Sequence, residues 1–548
     1  MSKQFLLHDE ARAAILRGMN TAADIVGSTL GPLGGTVVLG RPAGYGPAKV
    51  TKDGVSTAAE LELPDPWENE GAKLIIEVAK RTNQEAGDGT TAATILTRAI
   101  FREGCRQITA GCNPHAIKRG IQQAVVCVTD ELKRIAQPIP RIGDIPDLDT
   151  LIHIATIAAN GDAEIGTVIG EAVQKAGLEG TYSPDTSPDG KTTYTITEGL
   201  QFQRGFIDQT FMRDRAAGQT VFHDCNVFVT DRRLVDGPQM VTFLQNYQAK
   251  AAHVPLLIIA GDVESAALST LAVNNLNNIV QACAVRTPGT GEARKDEIED
   301  IAILTGARYF QTSNLDLPET ATIQDFGSAR KVIVTPHHTT IVGGEGAALS
   351  IETRKDELRG RLADPKLTDF DRAVCERRLA AISASIVVFH IASKTDSNYR
   401  EISDRFEDSL RATLAALKEG IVPGGGTALL RTLPALQSLI DTLQGDEKTG
   451  AQIIAQSLSA PLRQIATNAG KSGDVIVEKL FTDLNTNGWG WNAAADRFED
   501  MPAAGIIDPA MVVRLALQNS AEQSALLLTA KAMIIDLPEA NPQPKQKG

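Results

Sequence analysis

Aromatic side chains are scarce in this chain, at 4% of its 548 residues. That scarcity argues against a surface built to stack bases. An excess of positive charge is also missing: 54 Lys and Arg stand against 67 Asp and Glu, a formal net charge of −13. No electrostatic grip on nucleic acid is therefore expected. The six cysteines, Cys105, Cys112, Cys127, Cys225, Cys283 and Cys375, form no CxxC pair and no zinc-like spacing with histidine. They read as buried thiols of a reducing compartment. No apolar run approaches the roughly 20 residues that span a bilayer, and residues 1–10 lack the apolar stretch of a secretion signal. The expectation is a cytoplasmic chain with neither a membrane nor a nucleic-acid partner.

What is present is ordinary globular composition, 43% hydrophobic and 22% charged, in a chain too long for one core, so two to four domains are expected. Residues 8–28 predict an amphipathic helix through Ala11, Ile15, Met19, Ala22 and Val26. A glycine-rich break, a short strand at 36–39 and a long helix over 69–86 come next. The middle alternates: strand at 226–230, helix 240–252, strand 255–260, helix 263–275, strand 279–285, which predicts an α/β domain. Residues 356–384 turn charged and helical, and from 405 onward helices return with glycine loops at 424–426 and 487–490. The two ends resemble each other and differ from the middle, as when one domain is inserted in another. The tail 538–548 predicts disorder.

Three glycine loops and several carboxylates carry the chemistry. Gly87-Asp88-Gly89-Thr90-Thr91 opens a helix, so free N–H groups and the positive dipole end suit phosphate oxygens. Asp88 would repel a triphosphate alone and makes sense as a magnesium ligand bridging to phosphate. A capped helix with a tight turn fits the same pentapeptide. Gly424-Gly425-Gly426 lets backbone approach a nucleotide or simply turns. Gly470-Lys471-Ser472 imitates the end of a P-loop, but Ile465 stands where its first glycine belongs, so a Walker A site is rejected. His337-His338 has no partner cluster and reads as a turn.

Taken together and in order, Thr29-Leu30-Gly31-Pro32, Thr51-Lys52-Asp53-Gly54-Val55, Gly87-Asp88-Gly89-Thr90-Thr91, Lys118-Arg119-Gly120, Glu198-Gly199, Gly424-Gly425-Gly426 and Gly505-Ile506-Ile507-Asp508-Pro509 resemble the group I, GroEL-like chaperonin family over residues 8–537. The resemblance implies a multidomain fold. Residues 1–134 and 419–548 would form a mostly α-helical equatorial ATPase domain, 135–197 and 387–418 a small α+β intermediate hinge domain, and 198–386 an α/β apical domain. It implies ATP against Thr29, Leu30, Gly31, Pro32, Lys52, Asp88, Gly89, Thr90, Thr91, Gly425, Asn492, Ala493, Ile506 and Asp508. Asp88 would hold magnesium (Mg2+), the main-chain oxygens of Thr29 and Lys52 potassium (K+), and Asp53 and Asp408 would position and polarise the attacking water. An isolated Asp in a helix otherwise reads as a solvated residue.

The resemblance further implies a homo-oligomeric, heptameric ring that captures unfolded protein clients on Phe206, Thr210, Phe211, Val241, Leu244, Leu268, Ala272 and Val273, with a GroES-like co-chaperonin as lid. Read without it, the helical patterns at 241–244 and 268–273 are plain core faces. Several positions depart from the family. Thr210 replaces an aromatic and Ala272 a larger aliphatic, which implies a weaker or retuned rim. At the hinge Gly199 remains, but Ala384-Ser385 replaces a glycine pair, which implies a narrower swing or a pivot elsewhere. Lys471 replaces an acid in the ring-to-ring region, which points to a single ring or separable rings. Such departures fit a specialised, virus-encoded copy. A nucleotide-binding scaffold or holdase without a productive cycle is the alternative; a metabolic kinase or ligase would need an acid–base set that the motifs do not supply.

Overall fold

The computed structural model describes residues 3–40, 49–51, 54–143, 145–159, 161–178, 180–187, 190–214, 218–289, 291, 293–364, 367–383, 385–393, 396–482 and 488–536. The chain folds as two units, residues 1–178 with 392–548, and residues 179–391.

The first unit is helical because its long segments keep apolar residues on one face. In helix His8–Gly27 the buried residues Ala11, Ile15, Met19, Ala22 and Val26 form the stripe that the spacing predicts. This helix crosses Pro66–Ala86, and the backbones touch where each offers a glycine. A Cβ on Gly18 would lie 1.8 Å from the Glu68 carbonyl oxygen, and one on Gly71 2.3 Å from that of Ile15. Helices Thr90–Thr109, Pro114–Ile135 and Ala510–Leu528 complete the core around Phe101, Ile121 and Leu517. Two of these helices start where an Asx-Pro pair stands: Asp65 and Asn113 each accept two main-chain N–H groups, caps worth about 1 kcal/mol apiece. Strand Lys3–Leu7 pairs antiparallel with Ala532–Asp536, so both ends of the chain enter this unit. Helices Leu148–Ala158 and Ala163–Ala176 pack with the long helix Asp396–Glu419. There the buried Ser409 hydroxyl donates to the Ala155 carbonyl at 2.7 Å.

The second unit is built on a nine-stranded sheet. Strands Thr220–Thr230, Leu256–Ala260 and Ala282–Arg286 run parallel, with helices Gly237–Ala251 and Ser265–Leu276 as crossovers, the alternation expected over 226–285. Every residue of Leu256–Ala260 is buried, as in a strand covered on both faces. From Thr220–Thr230 the order continues antiparallel through Gly327–Val334, Thr339–Gly344, Thr193–Phe202 and Ser385–Ile391, with Thr181–Thr186 parallel at the edge. Buried Lys331 reaches that edge strand, donating to the Pro184 carbonyl at 2.9 Å and pairing with Asp185 at 3.1 Å, so the sheet curls back on itself. The charged stretch after 356 resolves into the end of helix Ala348–Leu362 and helix Asp369–Ser383. These helices dock through buried charges: Asp300 accepts from Arg354 and from Arg378, each at 2.7 Å. The tail 538–548 lies outside the described residues.

Candidate functional site

Helix Pro66–Ala86 ends at Gly87, which takes φ 73° and donates its N–H to the Asn83 carbonyl. Gly89, at φ 82°, then starts Thr90–Thr109 as a cap with no side chain of its own, and its N–H donates to the Asp88 carboxylate at 2.5 Å. Two left-handed turns in succession are why glycines bracket Asp88. Asp88, Gly89, Thr90 and Thr91 line a cavity of about 580 Å³. Thr29, Leu30, Gly31 and Pro32 enter it from the turn after His8–Gly27, Gly425 from the glycine loop, and Asn492, Ala493, Ile506 and Asp508 from the C-terminal part. Asp408 lines it from helix Asp396–Glu419. Lys52 and Asp53 lie outside the described residues.

Local bonds show what each residue offers. The Thr29 hydroxyl donates to the Val26 carbonyl at 2.8 Å, and Asn468 donates to the Gly27 and Leu30 carbonyls, both at 2.8 Å. With its hydroxyl spent on this turn, Thr29 offers the cavity main-chain polarity. Asn492 donates to Glu499 at 2.6 Å and accepts from the Ala494 and Ala495 N–H groups at 3.0 and 3.2 Å, holding the tip of hairpin Trp489–Asn492/Arg497–Asp500.

Electrostatics single out Asp508. Burial first, then the neighbouring Asp88 carboxylate, push its pKa up to about 7 against a hydrogen bond from the Gly425 N–H. Like charges gathered at a cavity are what a divalent cation relieves. Asn83 also lines the cavity, and its side-chain oxygen is buried with no partner among the described residues. No group of three or more His, Cys, Asp or Glu among the described residues could cage a metal alone. The residues present therefore fit a magnesium-bound phosphate ester. Besides Gly54, which the Thr51–Val55 motif already marks, Asn83, Ile157, Ala158, Gly161, Trp491 and Met501 form part of the cavity wall without being expected from the motifs. Only Asn83 carried a usable signal, since a residue one turn before a glycine cap faces the loop beyond that cap.

On the second unit the expected capture residues divide. Phe211 and Leu244, at 0% and 3% exposure, belong to the core and not to a surface rim. Leu244 falls on the stripe Met240, Phe243, Leu244, Tyr247 that its helix buries, and Phe211 sits in a tight turn whose carbonyl accepts the Thr220 hydroxyl. Phe206 and Leu268 are half-buried against that core, and Ala272 is half-buried. Thr210 is exposed, as are Val241 at 40% and Val273 at 54%, joined by Leu276 and Ile279. Gly199 lies in strand Thr193–Phe202 opposite Val342, where a Cβ would lie 2.5 Å from the Ile341 carbonyl oxygen; the close approach of backbone demands glycine there. Ser385 opens strand Ser385–Ile391 opposite Glu198, and Ala384 lies outside the described residues. Lys471 pairs with Asp496.

These features define a class of protein: a helical unit with an anion-ready cleft, continuous in sequence with an inserted mixed-sheet unit that shows apolar side chains to solvent. The chain belongs to the TCP-1/cpn60 chaperonin family, whose model matches residues 22–538. Among solved structures it is similar to the chaperonin gp146 from bacteriophage EL 2 (Pseudomonas aeruginosa), determined in the presence of ATP-BeFx in two crystal forms. Identity is 21% and 20% and TM-score 0.65 and 0.62, over 97% of this chain and 99% of that one. The likeness is one of fold, and the multidomain chaperonin architecture expected from the motifs is present. No helix among the described residues is long and apolar enough to cross a membrane.

Proposed function

We propose that this chain is an ATP-hydrolysing chaperonin that captures non-native proteins and encloses them for refolding in a ring. The observation that carries the reading is the meeting of Asp88, Asp408 and Asp508 with the N-terminal end of Thr90–Thr109 in one cavity. The first N–H groups of that helix suit phosphate oxygens. Asp88 would hold magnesium, which when bound neutralises charge on the transferred phosphoryl group. Main-chain oxygens of Thr29 and Lys52 would hold potassium, while Asp408 with Asp53 would orient and polarise the attacking water. Met501, Ile506 and Ala493 supply an apolar wall for a base. That the phage protein was determined with ATP-BeFx supports ATP as the nucleotide.

On this reading the chain is divided as equatorial (1–134 and 419–548), intermediate (135–197 and 387–418) and apical (198–386) domains, with Gly199 and Ser385 at the hinge. Seven copies form the ring in the cytoplasm, with a co-chaperonin as lid. Val241 and Val273, exposed on the second unit, take part in capture. Each such contact contributes ~1.5–3 kcal/mol when fully buried, and repetition around the ring multiplies weak contacts.

The test is phosphate release from MgATP together with refolding of a denatured client. Asp408→Ala is expected to lower turnover by roughly 10²–10⁴-fold while the nucleotide still binds. Unchanged turnover would overturn the role of Asp408. Equal refolding with a non-hydrolysable analogue would overturn the coupling and favour a holdase.

A further inference from the structure

Helix Asp396–Glu419 meets the glycine turn of the cleft at Arg411. A Cβ on Gly87 would lie 2.0 Å from the Arg411 Cβ, so helix and turn touch with nothing between them. Arg411 Nη1 donates to the Asn83 carbonyl at 3.3 Å, the same oxygen that accepts the Gly87 N–H. Its Nη2 pairs with Glu407, one turn earlier, which steadies the guanidinium. A cation on a last-turn carbonyl is held by the hydrogen bond and by the negative end of the helix dipole. One turn further on, Ala415 packs with Ala86 and Val512. Asp408, Arg411 and Ala415 therefore share one helix face: an apolar contact, a polar clamp, and then the carboxylate that lines the cleft.

We infer that Arg411 is a positioning residue. Clamped to the Asn83 carbonyl, it sets how far Asp408 reaches into the cleft and how readily its helix lifts to release nucleotide. The inference rests on the ATPase reading above. Asn83 joins the two halves of the device, because its carbonyl takes the clamp while the residue itself lines the cavity. A ligand seated against Asn83 in the cavity tightens the segment to which Arg411 is tied.

The experiment compares Arg411→Ala and Arg411→Lys in the full chain. Hydrogen exchange without nucleotide reads the clamp itself: Arg411→Ala should speed exchange over residues 84–88 by about tenfold, as expected for one lost charge-assisted bond. With MgATP it should lower kcat by about tenfold, leave KM within about twofold, and speed release of a fluorescent ADP analogue. Arg411→Lys, which keeps the charge, should restore kcat to within about threefold of the parent. Unchanged exchange at 84–88, or an unaltered kcat despite faster exchange, overturns the inference. So does loss of kcat in both variants alongside a lowered melting temperature, which would make Arg411 a structural residue only. A parent chain that takes up no ATP overturns the underlying reading, and it is recognised before any substitution is made.

Discussion

Both units draw acidic groups inward, and they settle them in opposite ways. In the second unit Asp300, 4% exposed, is clasped by Arg354 and Arg378, and Arg378 also reaches Asp296. The charge is balanced within the protein, and the result is structure. In the first unit the charge that perturbs Asp508 is another carboxylate, Asp88, and both line a void. A site that collects one sign of charge around empty space is completed by something the chain does not supply. The contrast separates a folding device from a binding device without reference to any relative.

The sharpest way to break this contrast is to remove the acid from the balanced network. Asp300→Ala leaves two arginines in the interior without their carboxylate, and breaking such a buried pair destabilises by about 3–5 kcal/mol. Trp67, Trp489 and Trp491 all lie in the first unit, so tryptophan fluorescence reports that unit while circular dichroism reports both. The expected outcome is an earlier unfolding step in the dichroism with the fluorescence transition held in place. Coincident shifts would mean that the units unfold as one.

In the first unit the matching change is Asp508→Asn, with a smaller effect whose sign depends on pH. A folded-state pKa of about 7 against an ordinary 3.8 means that the folded chain binds more protons than the unfolded chain between those values. Stability from this group is complete below about pH 4 and is lost as pH rises through about 7. Asp508→Asn should therefore stabilise the free protein at pH 8 on the order of 2 kcal/mol, a figure reduced for water in the cleft. The gain should fade toward pH 5 when thermal melts are compared at the two values. An equal gain at both would show that charge repulsion is not what raises Asp508.

How much of this is legible in the sequence comes down to the same physics. Helix His8–Gly27 and the strands and helices over 226–285 were legible because burial imposes a period. The cleft was legible because a chain turning left-handed twice needs glycine at Gly87 and Gly89, and few sequences place an acid between two such turns. Partners distant in sequence were not legible. Lys471 shows its sign in the sequence, but that Asp496 answers it depends on the hairpin. Likewise, the proximity of Arg411 to Gly87 depends on how two helices cross. Periodicity groups Met240, Phe243, Leu244 and Tyr247 on one face without saying whether that face is covered. That is why Leu244 was expected on a rim and is found in the core.

The same ambiguity frames the smallest effect on stability. Val241 and Val273 are 40% and 54% exposed on neighbouring helices of the second unit, and as lone surface residues they would need no explanation. If they are only surface, Val241→Ser with Val273→Ser changes stability within about 0.5 kcal/mol and nothing else. If they capture clients, stability stays within the same bound while binding of a denatured protein weakens severalfold, since each valine removes apolar area at every repeat of a ring. Denaturant midpoints and client co-sedimentation, measured on the same preparation, separate the two. Unchanged capture would move the search to Leu276 and Ile279, exposed at 61% and 50% near the end of the same helix, and would leave the balanced interior of this unit as its main feature.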